Sequence, residues 1–269
     1  MIIAIIYTFI LLGGFGSLMY FTGMYVHWYW YWIPLIGFPL GYVLLYGITL
    51  ALLFPIAKSI NIDKEVKKPS KIAAFFVRQI DFLTIQLALA RVKYTGFKQL
   101  NKKKEYMIIY NHISNFDPMV IMRKVKRLLC ITKYGNKKIP VVGGFIHKAG
   151  YITVDRENNA EGIKAINKAI DTINEGKASI CVAPEGTRSK NLELLPFHPG
   201  TFNIATRTGA PIVCVGLRNT NMIHKNFPKK RTKVYCDVIY IMQPEEYADM
   251  STPEIANRLH AVYEQYLAN

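Results

Sequence analysis

The chain has 269 residues and is 51% hydrophobic, enough for one sizeable α/β domain with something added and too short for two full domains. Residues 1–57 contain no Asp, Glu, Lys or Arg, so all 34 basic and 18 acidic residues, and the whole net charge of +16, belong to the part that begins at Lys58. An apolar segment beside a basic surface points to anionic phospholipid rather than nucleic acid, for which no groove-reading motif appears, and the scattered Cys130, Cys181, Cys214 and Cys236 form neither a metal pair nor a redox motif.

Residues 1–21 and 33–57 are each long enough, at about 20 residues per crossing, to span a bilayer as a helix. Between them, residues 25–32 gather all three tryptophans among tyrosines, and rings with a polar edge settle at the headgroup layer. Neither a basic start nor a small-residue cleavage site marks a removable signal, so the segment is expected to be retained. Lys58, Lys64, Lys67, Lys68 and Lys71 follow directly, and the positive-inside rule holds that end in the cytoplasm. Pro34, Gly37, Pro39 and Gly41 loosen the start of the second helix, so a hairpin dipping into one leaflet stands open beside two full crossings. Both arrangements leave the N-terminus and the charged part on one side.

Three regions are expected: an anchor of two helices over 1–57, a basic linker with an amphipathic helix over 58–95, and an α/β domain over 96–269. Residues 70–94 have helical spacing, with Arg78, Asp81 and Arg91 breaking an apolar run. Short apolar, β-branched runs at 106–110, 128–132, 151–154, 178–183, 211–217 and 234–241 predict buried strands. Helical patterns fall between them, at 118–127, 160–174 closed by Gly176, 200–208 closed by Gly209, and from Thr252, where Ser251 and Glu254 form a capping box. Strands alternating with helices predict a largely parallel or mixed sheet flanked by helices.

Asn111-His112-Ile113-Ser114-Asn115-Phe116-Asp117-Pro118 follows a predicted strand and precedes a predicted helix, the sheet edge where α/β folds place their ligands. Pro118 suits the first helical position with Asp117 as the cap, leaving His112 in the loop. Five residues of continuous helix would turn through about 500° and part the two side chains, whereas a loop folding back brings carboxylate to imidazole. A carboxylate on one ring nitrogen leaves the other as a general base, the logic of a catalytic triad whose nucleophile is supplied by the substrate. A loop histidine beside a plain helix cap is the alternative. Pro184-Glu185-Gly186-Thr187-Arg188-Ser189 should leave the same edge; Arg188 suits bidentate phosphate binding, and Gly186 lets backbone amides come close.

With these loops in view, the sequence resembles the lysophosphatidic acid acyltransferase family, the 1-acylglycerol-3-phosphate acyltransferases. The first block resembles the family's NHxxxxD motif, which implies catalytic roles for His112 and Asp117. Glu185, Gly186, Thr187 and Arg188 match its EGTR block, implying acceptor-phosphate binding. Gly143, Gly144, Gly150 and Val154-Asp155-Arg156 resemble a glycine-rich block in which Arg156 would help hold that phosphate, and Ala210-Pro211-Ile212-Val213 resembles an apolar block. Asn111, which opens the first motif, and Lys133, which matches a lysine frequent in the family, are candidate substrate contacts. One departure stands out: where the family often has a lysine, this chain has His198-Pro199-Gly200. The resemblance covers roughly residues 106–217.

It implies one-step acyl transfer from an acyl thioester, acyl-CoA or acyl-carrier protein, to the sn-2 hydroxyl of 1-acylglycerol 3-phosphate, giving phosphatidic acid, with no metal or bound cofactor. The expected partners are membrane phospholipids, lysophosphatidic acid and the thioester donor, and no nucleic acid. The expected place is the cell membrane, with the catalytic part on the cytoplasmic side. Eight basic residues between Arg123 and Lys148 offer the donor's phosphates or an acidic carrier a place to settle. Glycerol 3-phosphate or another lysophospholipid as acceptor, a hydrolase using water, and a non-catalytic lipid-binding membrane protein are the competing readings.

Overall fold

The computed structural model describes residues 2–66, 68–155, 158–189 and 191–268. In chain order the elements are α1 (Ile2–Thr22), α2 (Trp32–Lys58), α3 (Lys71–Leu87), β1 (Ala90–Thr95), β2 (Met107–Tyr110), α4 (Asp117–Met122), β3 (Leu128–Lys133), α5 (Val142–Lys148) and β4 (Ile152–Val154). They continue with α6 (Asn159–Asn174), β5 (Ser179–Val182), α7 (Asn203–Thr208), β6 (Ile212–Arg218), α8 (Met222–Asn226), β7 (Thr232–Met242), α9 (Pro244–Tyr247) and α10 (Thr252–Ala268).

The two uncharged segments form helices with windows of mean hydropathy 2.2 and 2.0, long and apolar enough to cross a membrane. Gly37 does not loosen α2, which runs unbroken through Pro39 and Pro55. It marks the close approach of α1, where an added Cβ would lie 2.3 Å from the Phe15 ring. Tyrosine hydroxyls complete the contact: Tyr7 donates to the Leu45 carbonyl (2.9 Å) and Tyr42 to that of Ala4 (3.1 Å). The pair is fastened to the rest of the chain through α3, where the Tyr46 and Thr84 hydroxyls are hydrogen-bonded at 2.8 Å and the Ile3 amide donates to Gln79.

Ser70 caps α3 by accepting from the Ala73 amide, and Val77, Ile80 and Leu83 bury one face. The helix ends earlier than its spacing predicts. Leu89 adopts a left-handed backbone (φ 55°), and residues 90–95 switch to a period of two as β1, alternately half-buried and exposed. Arg91 and Lys93 take the exposed positions, as suits the edge of a sheet.

The seven-stranded sheet has the order β1-β7-β6-β2-β5-β3-β4. β6 and β7 are antiparallel and every other neighbouring pair is parallel, so the sheet is mixed. β2 and β5 are buried throughout, as strands covered on both faces must be. Cys181 faces a core built with α3, α4, α5 and the end of α2, through Val77, Val120, Phe145 and Leu53. Ile180 and Val182 face the opposite core, built with α6, α7 and α10 through Ala165, Ile204 and Leu259. One face of the sheet therefore carries the apolar helix pair and the other does not.

Candidate active site

β2, β5, β3 and β4 are adjacent and parallel, so their C-terminal ends release four loops at one edge. Those loops begin with Asn111, Ala183, Tyr134 and Asp155, and they bring together blocks far apart in sequence. A cavity of about 920 Å³ opens there, lined by His112, Lys133, Gly186, Thr187 and Arg188 and continuing past Met119, Met122, Cys130 and Tyr151 to Val77, Asp81 and Thr84 on α3.

His112 Nδ1 and Asp117 Oδ2 are 2.8 Å apart. The turn makes this contact: the amides of Ile113 (2.8 Å) and Ser114 (2.7 Å) donate to the same carboxylate oxygen, folding the loop back over the first turn of α4. Thr220, beyond the end of β6, donates its hydroxyl to the other oxygen, Oδ1. Asp117 is fully buried and His112 only 9% exposed, and these donors satisfy both carboxylate oxygens in the interior. With Nδ1 engaged, Nε2 is the ring nitrogen left for a substrate, and the Tyr110 ring packs edge-on against the imidazole at 5.6 Å.

Glu185 is buried, and both its carboxylate oxygens accept from backbone amides: Oε1 from His112 (2.6 Å) and Oε2 from Leu195 (3.1 Å). The Ser189 amide in turn donates to the His112 carbonyl at 2.9 Å. The two loops are thus stitched together on both sides of His112. Burial pushes the Glu185 carboxyl above its ordinary value, while the two amide bonds pull the other way. Grouped with the phosphate-binding residues on sequence grounds, Glu185 here ties loops together, and an anionic carboxylate already engaged on both oxygens has nothing to offer a phosphate.

Gly186 has φ +67°, and a Cβ there would come within 2.8 Å of the His198 ring, so the turn closes only with glycine. Thr187 and Arg188 follow, exposed and facing the cavity, and Lys133 lines it from the end of β3. Asn111 lies away from it. Its buried side chain donates to the Leu217 carbonyl (3.0 Å) and accepts from the Leu217 amide (2.8 Å), pinning the start of the histidine loop to β6. Arg156, assigned to the same phosphate, lies outside the described residues. Among the described residues no grouping of three or more His, Cys, Asp or Glu side chains is placed to hold a metal ion. Sequence reasoning missed Thr220, which belongs to no motif; its one signal is that it follows a predicted strand of the same sheet.

Fold and site together define an α/β protein with a histidine–carboxylate pair and basic side chains at a sheet edge, carried beside an apolar helix pair. The sequence profile of the acyltransferase family matches residues 91–218. The chain is 32% identical over 178 residues to the 1-acyl-sn-glycerol-3-phosphate acyltransferase of Saccharomyces cerevisiae, a match covering 65% of this chain and 58% of that protein. It is 32% identical over 162 residues to the protein of the same name from Haemophilus influenzae, covering 60% of this chain and 67% of that one. The crystal structure of the 1-acyl-sn-glycerophosphate acyltransferase from Thermotoga maritima shares the fold, with a TM-score of 0.59 at 20% identity over 82% of this chain and 96% of that one. The chain belongs to the acyltransferase family.

Proposed function

We propose that the protein transfers a fatty acyl group from an acyl thioester to the sn-2 hydroxyl of 1-acylglycerol 3-phosphate, yielding phosphatidic acid. The observation that carries this reading is the 2.8 Å contact between His112 Nδ1 and Asp117 Oδ2 on the wall of a cavity that also presents Arg188 and Lys133. His112 Nε2 takes the proton of the acceptor hydroxyl as its oxygen attacks the thioester carbonyl carbon. The carbon–sulfur bond then breaks, and the imidazolium returns the proton to the departing thiolate. Asp117 fixes the ring's orientation and stabilises the imidazolium, a contribution of roughly 10² to 10⁴ in rate for base assistance of this kind.

Arg188 and Lys133 hold the acceptor phosphate while the apolar depth of the cavity takes the acyl chain. An apolar chamber and a basic mouth within one cavity favour a lysophospholipid over water or a small sugar phosphate. Residues 1–57 anchor the chain in the cell membrane, and the domain that works on the cytoplasmic side takes in α3 and β1, so that it begins before residue 96. The deciding experiment supplies labelled acyl-CoA and acyl-carrier protein with a panel of glycerol 3-phosphate, lysophosphatidic acid and headgroup-bearing lysophospholipids. Labelled phosphatidic acid that vanishes with His112→Ala is the expected product. Thioester cleavage at equal speed without acceptor would mean a hydrolase, and lipid binding without transfer a non-catalytic protein.

A further inference from the structure

A second cavity, of about 780 Å³, adjoins the first and shares with it Ile131, Asp155, Gly186 and His198. It lies on the other face of the sheet. The deep wall of the first cavity, through Val77, Met122 and Tyr151, belongs to the core that includes Leu53 and Ala57 of α2. The second is walled by Ala165, Ile166 and Val182, which belong to the opposite core. A chamber on the side of the apolar helices and a chamber facing away from them therefore meet beside Gly186.

The transfer proposed above brings three things to His112: an acyl chain, a lysophospholipid with its own chain, and the polar arm that carries the leaving sulfur. The two lipids come from the membrane side, and the third comes from water. We infer that the cavity on the α6 face receives the 4′-phosphopantetheine arm common to acyl-CoA and acyl-carrier protein, an inference that rests on the acyl-transfer reading. Its wall suits a chain of methylenes and amides ending in a phosphate. Apolar Ile166 and Val182 alternate there with the carboxamides of Asn158, Asn167 and Asn203 and the guanidinium of Arg207. Among the described residues these polar groups keep capacity to spare: Asn158 Oδ1 caps α6 and leaves its amide nitrogen to donate, Asn203 donates to the Gly200 carbonyl and leaves its oxygen, and Arg207 uses Nη1 on Asn167 (2.8 Å). Arg207 lies exposed at the rim, where an arm's phosphate would meet water.

Gly162 tests this. It lines the second cavity, and a Cβ built there meets nothing within 4 Å, so the backbone accepts a side chain at this position and Gly162→Leu adds bulk to the wall of the chamber. The expected result is a KM for the thioester raised about tenfold while the KM for lysophosphatidic acid stays within about twofold. Palmitoyl-CoA and palmitoyl-carrier protein are assayed separately; a rise with either donor supports the inference and says which one uses the chamber. A binding measurement guards against a poorly folded variant: maleimide labelling of Asn167→Cys should be slowed by CoA or by the acyl-carrier protein and not by lysophosphatidic acid. The four native thiols are all buried and give little background. Protection by lysophosphatidic acid in place of the donor, or by neither, would overturn the inference. Loss of all transfer in the unmodified chain would instead bring down the reading on which it rests.

Discussion

Asp81 carries a pH effect large enough to measure in the range where the protein works. It sits on α3 at 4% exposure, on the wall of the first cavity, and its Oδ2 has no hydrogen-bond partner among the described residues. Burial pushes its carboxyl up to about 7, and the nearby Arg78 guanidinium offsets only part of the rise. In the unfolded chain the same group titrates near its ordinary 3.8. The folded form therefore holds the proton more tightly, so its advantage is complete below pH 3.8 and is lost as pH climbs to 7. At 1.36 kcal/mol per pH unit the loss over that window is about 4 kcal/mol, of which about 3 falls between pH 5 and pH 8. Asp81→Asn removes the titration and keeps the shape. Its stability relative to the unmodified chain should improve by about 3 kcal/mol on going from pH 5 to pH 8, or roughly 6–12 °C in midpoint for a domain of this size. Thermal unfolding of both proteins in the same detergent, followed by circular dichroism at the two pH values, measures it. Midpoints that move in parallel would show that the carboxyl is neither dehydrated nor neutral as argued.

Three further substitutions probe the site. Asp117→Asn should lower kcat by about 10² to 10⁴ with the protein still folded, because an amide can turn only one oxygen toward the donors that hold the loop and cannot stabilise an imidazolium; a near-normal kcat in steady-state assays would remove Asp117 from the mechanism. Glu185→Gln should destabilise by about 1–3 kcal/mol in denaturant unfolding, since its NH₂ must face an amide of either His112 or Leu195. Arg188→Ala should raise the KM for lysophosphatidic acid roughly ten- to a hundredfold with a smaller effect on the donor's KM, the worth of a charge-assisted phosphate contact; an unchanged acceptor KM would assign the phosphate elsewhere.

Patterning made most of the fold legible. The buried strands announce themselves as apolar, β-branched runs, and the capping box foreseen at Ser251 is half formed: the Ser251 amide donates to Glu254 at 2.7 Å, and its hydroxyl donates to the same carboxylate instead of accepting from the helix. β1 was hidden because residues 90–95 continue the mixed apolar and basic composition of α3, and only the change of period at Leu89 separates them. Gly37 misled for a related reason. A glycine in an apolar helix reads the same whether it weakens that helix or admits a neighbour, and only the position of Phe15 decides.

The site divides along the same line. The residues proposed to act on substrate, such as His112 and Arg188, stand in recognisable blocks, whereas residues that position them act through the backbone, inside the blocks or outside them. Asn111 and Glu185 belong to the blocks and yet their side chains hydrogen-bond main-chain groups of Leu217, His112 and Leu195. Thr220 belongs to none and reaches the Asp117 carboxylate directly. Membership of a motif therefore does not say what a residue does: Glu185 lines the cavity as His112, Lys133 and Arg188 do, yet spends both its oxygens on main-chain amides.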